Sequence, residues 1–386
     1  MKILYVIDLY QQEGGASRAM CRLSRAIASQ DNNETSVFCR NVLSGDTLRE
    51  NIIIGNGKAL LDYYLNNQFQ LIHWFKSGRL KIFKELCTEL ENRKLFIPII
   101  TTVCQKPSYR DLLLSPLEIK YSSKIVFIDK ASYNDKICVR FKNKEFIYLG
   151  SPYCDVKNSS YIRRSETIIF GRGSSMNKWP KSMIENFDKI QIENKEFHIV
   201  GAVGKNNWLQ RYIKKNNRND IQVYPQLPYE EWINKLIDFD IFLYQLPLDT
   251  YSSIDGTMQQ AMLQEKPIVY YGPDAPKELL EHGLSGFIAT NESEIKIYAE
   301  LLGKDEQLRN TMGAEARKRI LDFFSYDNTL DSYIELYKSV VSFPKSLPLD
   351  TVDLRYFFIY YYRKIFYRII WLLSIPSKII NRLCSY

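Results

Sequence analysis

Residues 251–290, YSSIDGTMQQAMLQEKPIVYYGPDAPKELLEHGLSGFIAT, constrain this chain more than any other stretch. They read as a loop of small polar residues, a short helix, a buried strand, a loop, a second short helix and a closing strand. Ser252, Ser253, Asp255, Gly256 and Thr257 precede a helix over 258–264, so a helix amino terminus points out of a hydroxyl-rich loop. Unpaired N–H groups and the positive end of the helix dipole at such a terminus suit a phosphate. Residues 267–271 are a β-branched and aromatic run, as a parallel strand buried on both faces requires. Gly272-Pro273 and the pair Gly283 and Gly286 punctuate its far side. Any one of these pieces alone would be an ordinary βα unit.

Two other stretches repeat the strand–loop–helix theme. Residues 2–9 form an apolar strand that leads to Gly14-Gly15 and a helix with Ala16, Met20, Leu23 and Ile27 at helical spacing. The glycines let backbone approach a ligand closely, although many α/β folds open this way. The order matches neither G-x-G-x-x-G nor a P-loop, so dinucleotide and ATP readings lose ground. Residues 167–170 form a strand that ends at Gly171-Arg172, and Lys178 follows in a polar loop. Taken alone, Arg172 and Lys178 are two solvated bases.

Further strands are expected at 36–40, 71–74, 96–103, 124–128, 197–200, 221–224 and 241–244. A helix is expected at 230–238, with others at 292–302, 305–323 and 326–341. His73 ends one strand, where ligand sites of open α/β sheets gather; a satisfied structural histidine is an equal reading. Cys104 has no histidine nearby in sequence to activate it as a nucleophile.

The order of parts resembles the donor-binding signature of the retaining GT-B glycosyltransferases of family 4. There an acidic residue, seven intervening residues and a Glu-Ala-Met precede a Gly-Lys-Pro-Val-Val-like strand, and a Glu stands five and eight residues before two glycines. This chain has Ala261-Met262, Lys266-Pro267-Ile268-Val269, and Glu278 ahead of Gly283 and Gly286. Gln260 stands where the second Glu would be, and Ser252 or Asp255 at the first. A neutral amide can still hydrogen-bond a ribose hydroxyl. The resemblance implies donor-binding roles for Gly15, Gly171, Ser252, Asp255, Gly256, Thr257, Gln260 and Glu278, with His73 as the acceptor-side candidate. It implies that Arg172 and Lys178 hold the donor diphosphate. Fixed cations there stabilise the charge that grows on the leaving group, so no metal and no cofactor are expected. Asp238-Phe239-Asp240 spells D-x-D, but a helix–strand junction explains it better than a metal site.

Composition bounds the rest. At 386 residues, 45% hydrophobic and 25% charged, the chain has room for two α/β domains and a tail. The seven cysteines form no C-x-x-C pair, which argues against zinc ribbons and disulfide frameworks and favours a reducing compartment. The start lacks a signal peptide's apolar core, so a cytoplasmic location is expected. The net charge of +8 is concentrated in residues 354–386, which hold Arg355, Arg363, Lys364, Arg368, Lys378 and Arg382 and no acid. A nucleic-acid binder would spread its bases over a folded face. On a helical wheel Arg363, Lys364 and Arg368 oppose Ile365, Phe366, Ile369, Leu372 and Leu373, with Trp371 nearby. Peripheral attachment to an anionic membrane is expected, the alternative being a helix packed on the protein itself.

The expected architecture is α/β, two Rossmann-like domains of the GT-B kind facing across a cleft. The boundaries are 1–155 for the acceptor side, 166–325 for the nucleotide-sugar side, 326–343 for a terminal helix returning to the first domain, and 354–386 for the tail. The resemblance implies sugar transfer with retention to a saccharide or lipid-linked saccharide, as in cell-surface polysaccharide or lipopolysaccharide synthesis. A catalytically weakened scaffold that binds or assembles at the membrane is the alternative. Removing everything beyond Leu347 is expected to leave a folded, soluble body.

Overall fold

The computed structural model describes residues 1–11, 14–30, 32–43, 52–77, 79–104, 114–138, 141–151, 167–172, 182–201, 208–225, 227–248, 250, 252–342 and 354–372. The chain divides into two units, Met1–Leu149 with Thr329–Tyr386, and Gly150–Asn328.

The first unit alternates β1 (Lys2–Tyr10), α1 (Gly15–Ala28), β2 (Glu34–Val42), β3 (Ile52–Ile54), α2 (Gly57–Asn66), β4 (Leu71–Lys76), α3 (Lys81–Asn92), β5 (Ile99–Val103), α4 (Pro116–Tyr121), β6 (Lys124–Phe127), α5 (Lys130–Tyr133) and β7 (Lys144–Phe146). Its strands pair in parallel in the order β3-β2-β1-β4-β5-β6-β7. β1 is apolar on both faces because both are covered. Ile3, Tyr5 and Ile7 pack with Met20, Leu23 and Ile27 of α1. Leu4 and Val6 face Leu60 and Leu61 of α2 and Phe83 and Leu86 of α3.

The second unit runs β8 (Thr167–Arg172), α6 (Met183–Lys189), β9 (Lys195–Val200), α7 (Trp208–Lys215), β10 (Ile221–Tyr224), α8 (Tyr229–Ile237), β11 (Ile241–Gln245), α9 (Gly256–Leu263), β12 (Ile268–Tyr271), α10 (Asp274–Lys277), β13 (Phe287–Ile288), α11 (Glu292–Lys304) and α12 (Glu306–Phe323). Its strands are again parallel, in the order β10-β9-β8-β11-β12-β13. Ile241, Leu243 and Val269 anchor its core against Phe187 of α6 and Ala299 and Leu302 of α11.

Helix α13 (Tyr326–Ser342) follows, and α14 (Leu354–Leu372) is the last described element. From Thr329 onward α13 belongs to the first unit, where Tyr333 and Tyr337 enter the same core as Tyr5 and Phe75. Tyr356 and Tyr360 of α14 are buried beside Leu114, Phe127 and Phe141. One face of α14 is therefore an internal packing element, and cutting at Leu347 would uncover that cluster. No helix among the described residues is long and apolar enough to cross a membrane.

Each sheet reverses its winding once, between β1 and β4 in the first and between β8 and β11 in the second. Ligands of open α/β sheets bind outside the carboxyl ends of the strands at such a switch point. The helix expected at 258–264 starts two residues earlier, so Gly256 and Thr257 belong to its first turn.

Candidate functional site

The second switch point brings together two stretches about eighty residues apart in sequence. β8 ends at Gly171-Arg172, and Gly171 pairs with Leu243 of β11 on one side and Ile199 of β9 on the other. β11 ends at Gln245 and leads into the loop that opens α9. Gly171 and Arg172 thus leave the sheet beside the loop that carries Ser252, Asp255, Gly256 and Thr257. Arg172 is placed by its backbone alone, and Lys178 lies outside the described residues.

Asp255 organises this loop. Its Oδ1 accepts from the Thr257 amide at 2.8 Å and the Met258 amide at 3.4 Å, and its Oδ2 accepts from the Tyr244 hydroxyl at 2.7 Å. Asp255 is the N-cap of α9, a position where a carboxylate satisfies orphan amides and the dipole together. This corrects the expectation of an open phosphate-binding helix terminus: a carboxylate of the chain already occupies it. Ser252 is buried, and its hydroxyl donates to the Ser253 carbonyl at 3.1 Å.

Gln260 is buried on the first two turns of α9, and its Oε1 accepts from the indole N–H of Trp232 on α8 at 2.8 Å. Indole is a donor only, so the amide oxygen faces Trp232 and the amide N–H₂ is the group turned away from it. The neighbouring Gln259 accepts from the Ser151 amide at 2.6 Å. Glu278 caps the C-terminus of α10. Its turn is held from α12 by Arg319, which donates to the carbonyls of Glu278 at 3.2 Å and Leu279 at 2.9 Å. Trp232 and Arg319 escaped the sequence reading because each acts through a partner at least 28 positions away. Tyr244 stacks on Tyr270 at 5.8 Å, and burial pushes the Tyr270 hydroxyl far above its usual range. Lys266 donates to the Ile237 carbonyl at 3.0 Å, and burial lowers its pKa to about 8. Asp238 caps α8 and pairs with Lys235 at 3.0 Å, so Asp238-Phe239-Asp240 is a helix–strand junction.

In the first unit, Gly15 is the first residue of α1, and Gly14 caps that helix without a side-chain hydrogen bond. A Cβ added at Gly15 would meet nothing within 4 Å, whereas one at Gly14 would lie 2.9 Å from the Cβ of Gln11. Gly14 is therefore required by the turn, and Gly15 sits beside open space.

His73 is in the core. Its Nδ1 meets the Tyr337 hydroxyl at 2.7 Å and its Nε2 the Thr102 hydroxyl at 2.7 Å, and it is fully buried. Burial depresses its pKa to about 3. Both ring nitrogens are used, and this is the geometry of the structural reading rather than of an acceptor-side group. Cys104, partly buried beyond the end of β5, has its thiol pKa raised to about 12 by desolvation, which disfavours the thiolate a nucleophile needs. Among the described residues, a polar pair stands at the end of β4: Lys76 is 3.1 Å from Glu118, both buried. Glu118 also accepts from the Trp74 indole and the Ser115 amide.

The structure is similar to solved glycosyltransferases. Anabaena Alr3699/HepE in complex with UDP-glucose superposes with a TM-score of 0.70 at 16% identity, over 88% of this chain and 100% of that one. Sucrose-phosphate synthase from Thermosynechococcus elongatus gives 0.70 at 11%, over 88% and 99%. WaaG, a glycosyltransferase involved in lipopolysaccharide biosynthesis, gives 0.62 at 11%, over 87% and 99%. At these identities the likeness speaks to the fold alone, and that fold is GT-B. Residues 158–319 match the family model of the Glycosyl transferases group 1, a stretch holding Gly171, Arg172, Lys178 and the donor-side residues from Ser252 to Glu278. No curated protein sequence matches the chain.

Proposed function

We propose that the protein transfers a sugar from a nucleotide-sugar donor to a saccharide or lipid-linked saccharide acceptor, with retention of configuration and without a metal. One observation carries the reading: β8 and β11 deliver Gly171-Arg172 and the Asp255-capped loop of α9 to one switch point, inside the region that matches the group 1 model. The donor's diphosphate would be gripped by Arg172 and Lys178. As the glycosidic bond breaks, negative charge builds on the departing diphosphate, and two fixed cations stabilise it without rearranging. Gln260 and Glu278 would lie on the nucleotide or the sugar. With its oxygen held by Trp232, Gln260 offers a donor N–H where a carboxylate would offer an acceptor. That HepE is seen with UDP-glucose, and that WaaG serves lipopolysaccharide biosynthesis, makes UDP-sugars the first donors to try and surface polysaccharide the first acceptor class.

A second reading is a scaffold that binds donor but turns it over slowly. It is favoured by the absence of a carboxylate at Gln260 and Ser252, and by the commitment of Asp255 to its own helix. A panel of nucleotide-sugars, scored for both binding and turnover, separates the two. Binding with turnover supports transfer, binding alone supports the scaffold, and neither overturns both.

A further inference from the structure

Helix α14 uses two opposite faces. Tyr356 and Tyr360, one turn apart, are buried against the first unit. The Tyr356 hydroxyl donates to the Leu114 carbonyl at 2.5 Å, and its ring meets Phe141 edge-on at 5.2 Å. The Lys364 ammonium lies over the Tyr360 ring at 5.1 Å. On the other side Phe358 is 70% exposed, Tyr361 45%, Tyr362 70% and Ile365 59%. The spacing i, i+3, i+4, i+7 puts these four on one face. Packing and membrane contact were alternatives for the tail in the sequence; in the structure one face of α14 is packed and the opposite one is exposed. The exposed stripe also differs from the wheel's apolar side, sharing only Ile365 with it.

Four large apolar side chains in solvent call for something that covers them. Residues 354–386 carry six bases and no acid, so two copies meeting through this segment would bring like charges together. A bilayer with anionic headgroups satisfies both requirements. Tyrosines sit well at headgroup depth, the apolar residues reach the acyl boundary, and the segment's net positive charge is attracted to an anionic surface.

We propose that α14 seats the protein on an anionic lipid bilayer through Phe358, Tyr361, Tyr362 and Ile365, while Tyr356 and Tyr360 keep the helix fixed to the first unit. The docked tyrosines share a cluster with Val103 and Phe127, the last residues of β5 and β6, so the helix is anchored at the carboxyl edge of that sheet. In one respect the inference rests on the sugar-transfer reading: a lipid-linked acceptor would then arrive along this edge.

The test is sedimentation of the full chain with phosphatidylcholine vesicles and with vesicles that also contain phosphatidylglycerol, at low and high salt. Binding is expected with the anionic vesicles only and should weaken with salt. The double variant Phe358→Ser, Ile365→Ser should lose about tenfold of the bound fraction. Its melting temperature is measured alongside as the folding control. Equal sedimentation of variant and wild type would overturn the proposal. So would equal binding to neutral vesicles, or a wild-type chain that ignores both kinds and forms a dimer the variant cannot. No donor enters the assay, so its outcome is independent of whether the protein transfers sugar.

Discussion

Asp255 shows how one side chain can settle a loop. Its carboxylate accepts from two amides of α9 and from Tyr244 at the end of β11, so it ties helix, loop and strand together. Asp255→Ala removes the cap and should cost about 1–2 kcal/mol, read as a lower denaturation midpoint at unchanged slope; an unaltered midpoint would contradict the role. Gln260→Ala should weaken nucleotide-sugar affinity by up to about tenfold, since a net hydrogen bond contributes roughly 0.5–1.5 kcal/mol. Unchanged affinity removes Gln260 from the site. His73 gives a pH prediction. Its folded pKa of about 3 lies below the unfolded value near 6.5, so the unfolded chain takes up the proton first. The stability it contributes is complete above about pH 6.5 and is lost as pH falls towards 3. His73→Gln, which cannot titrate, should flatten stability against pH over that window. A slope identical to wild type would contradict the assignment. The partner of His73 was not legible locally. Tyr337, which satisfies His73, lies 264 positions away, and nothing near residue 73 announces it.

At the scale of elements, strands were the most legible parts. β1, β4, β5 and β11 are buried on both faces, and such runs leave a continuous apolar signature. The short edge strands β3 and β7, three residues each, leave too little pattern to read. The start of α9 was legible as a helix terminus, but which acid or hydroxyl capped it was decided by geometry. Helix packing adds a prediction that opposes propensity. Alanine favours a helix over glycine by about 1 kcal/mol. At Gly313 in α12, however, an added Cβ would lie 2.0 Å from the Glu265 carbonyl oxygen. That neighbour is backbone, held in a left-handed turn at φ 57, and cannot swing aside. Gly313→Ala should therefore destabilise by roughly 1–3 kcal/mol, and a stabilised variant would show that α9 and α12 slide apart freely. The tail also changes meaning at this scale. Deleting it past Leu347 removes Tyr356 and Tyr360 from Leu114, Phe127 and Phe141, so the shortened chain, expected from sequence to stay folded and soluble, should melt lower than the full one.

In each of the two units a doubly wound sheet repeats one plan, with glycine at the end of a switch-point strand: Gly14-Gly15 beyond β1 and Gly171 near the end of β8. The plan was legible because strand–glycine–helix units recur in order and the chain is long enough for two such domains. The pairing that puts the ends of β8 and β11 side by side was less so, because only strand order makes them neighbours. The central claim is that this junction holds a nucleotide-sugar diphosphate, and Arg172 tests it most directly. The measurement is nucleotide-sugar turnover by the full chain, wild type beside Arg172→Ala and Lys178→Ala, with melting temperature as the folding control. Sugar transfer predicts turnover by the wild type and a loss of about a hundredfold or more in kcat for each variant at unchanged melting temperature. Near-normal rates in both variants, or a wild type that neither binds nor turns over any nucleotide-sugar, would contradict it.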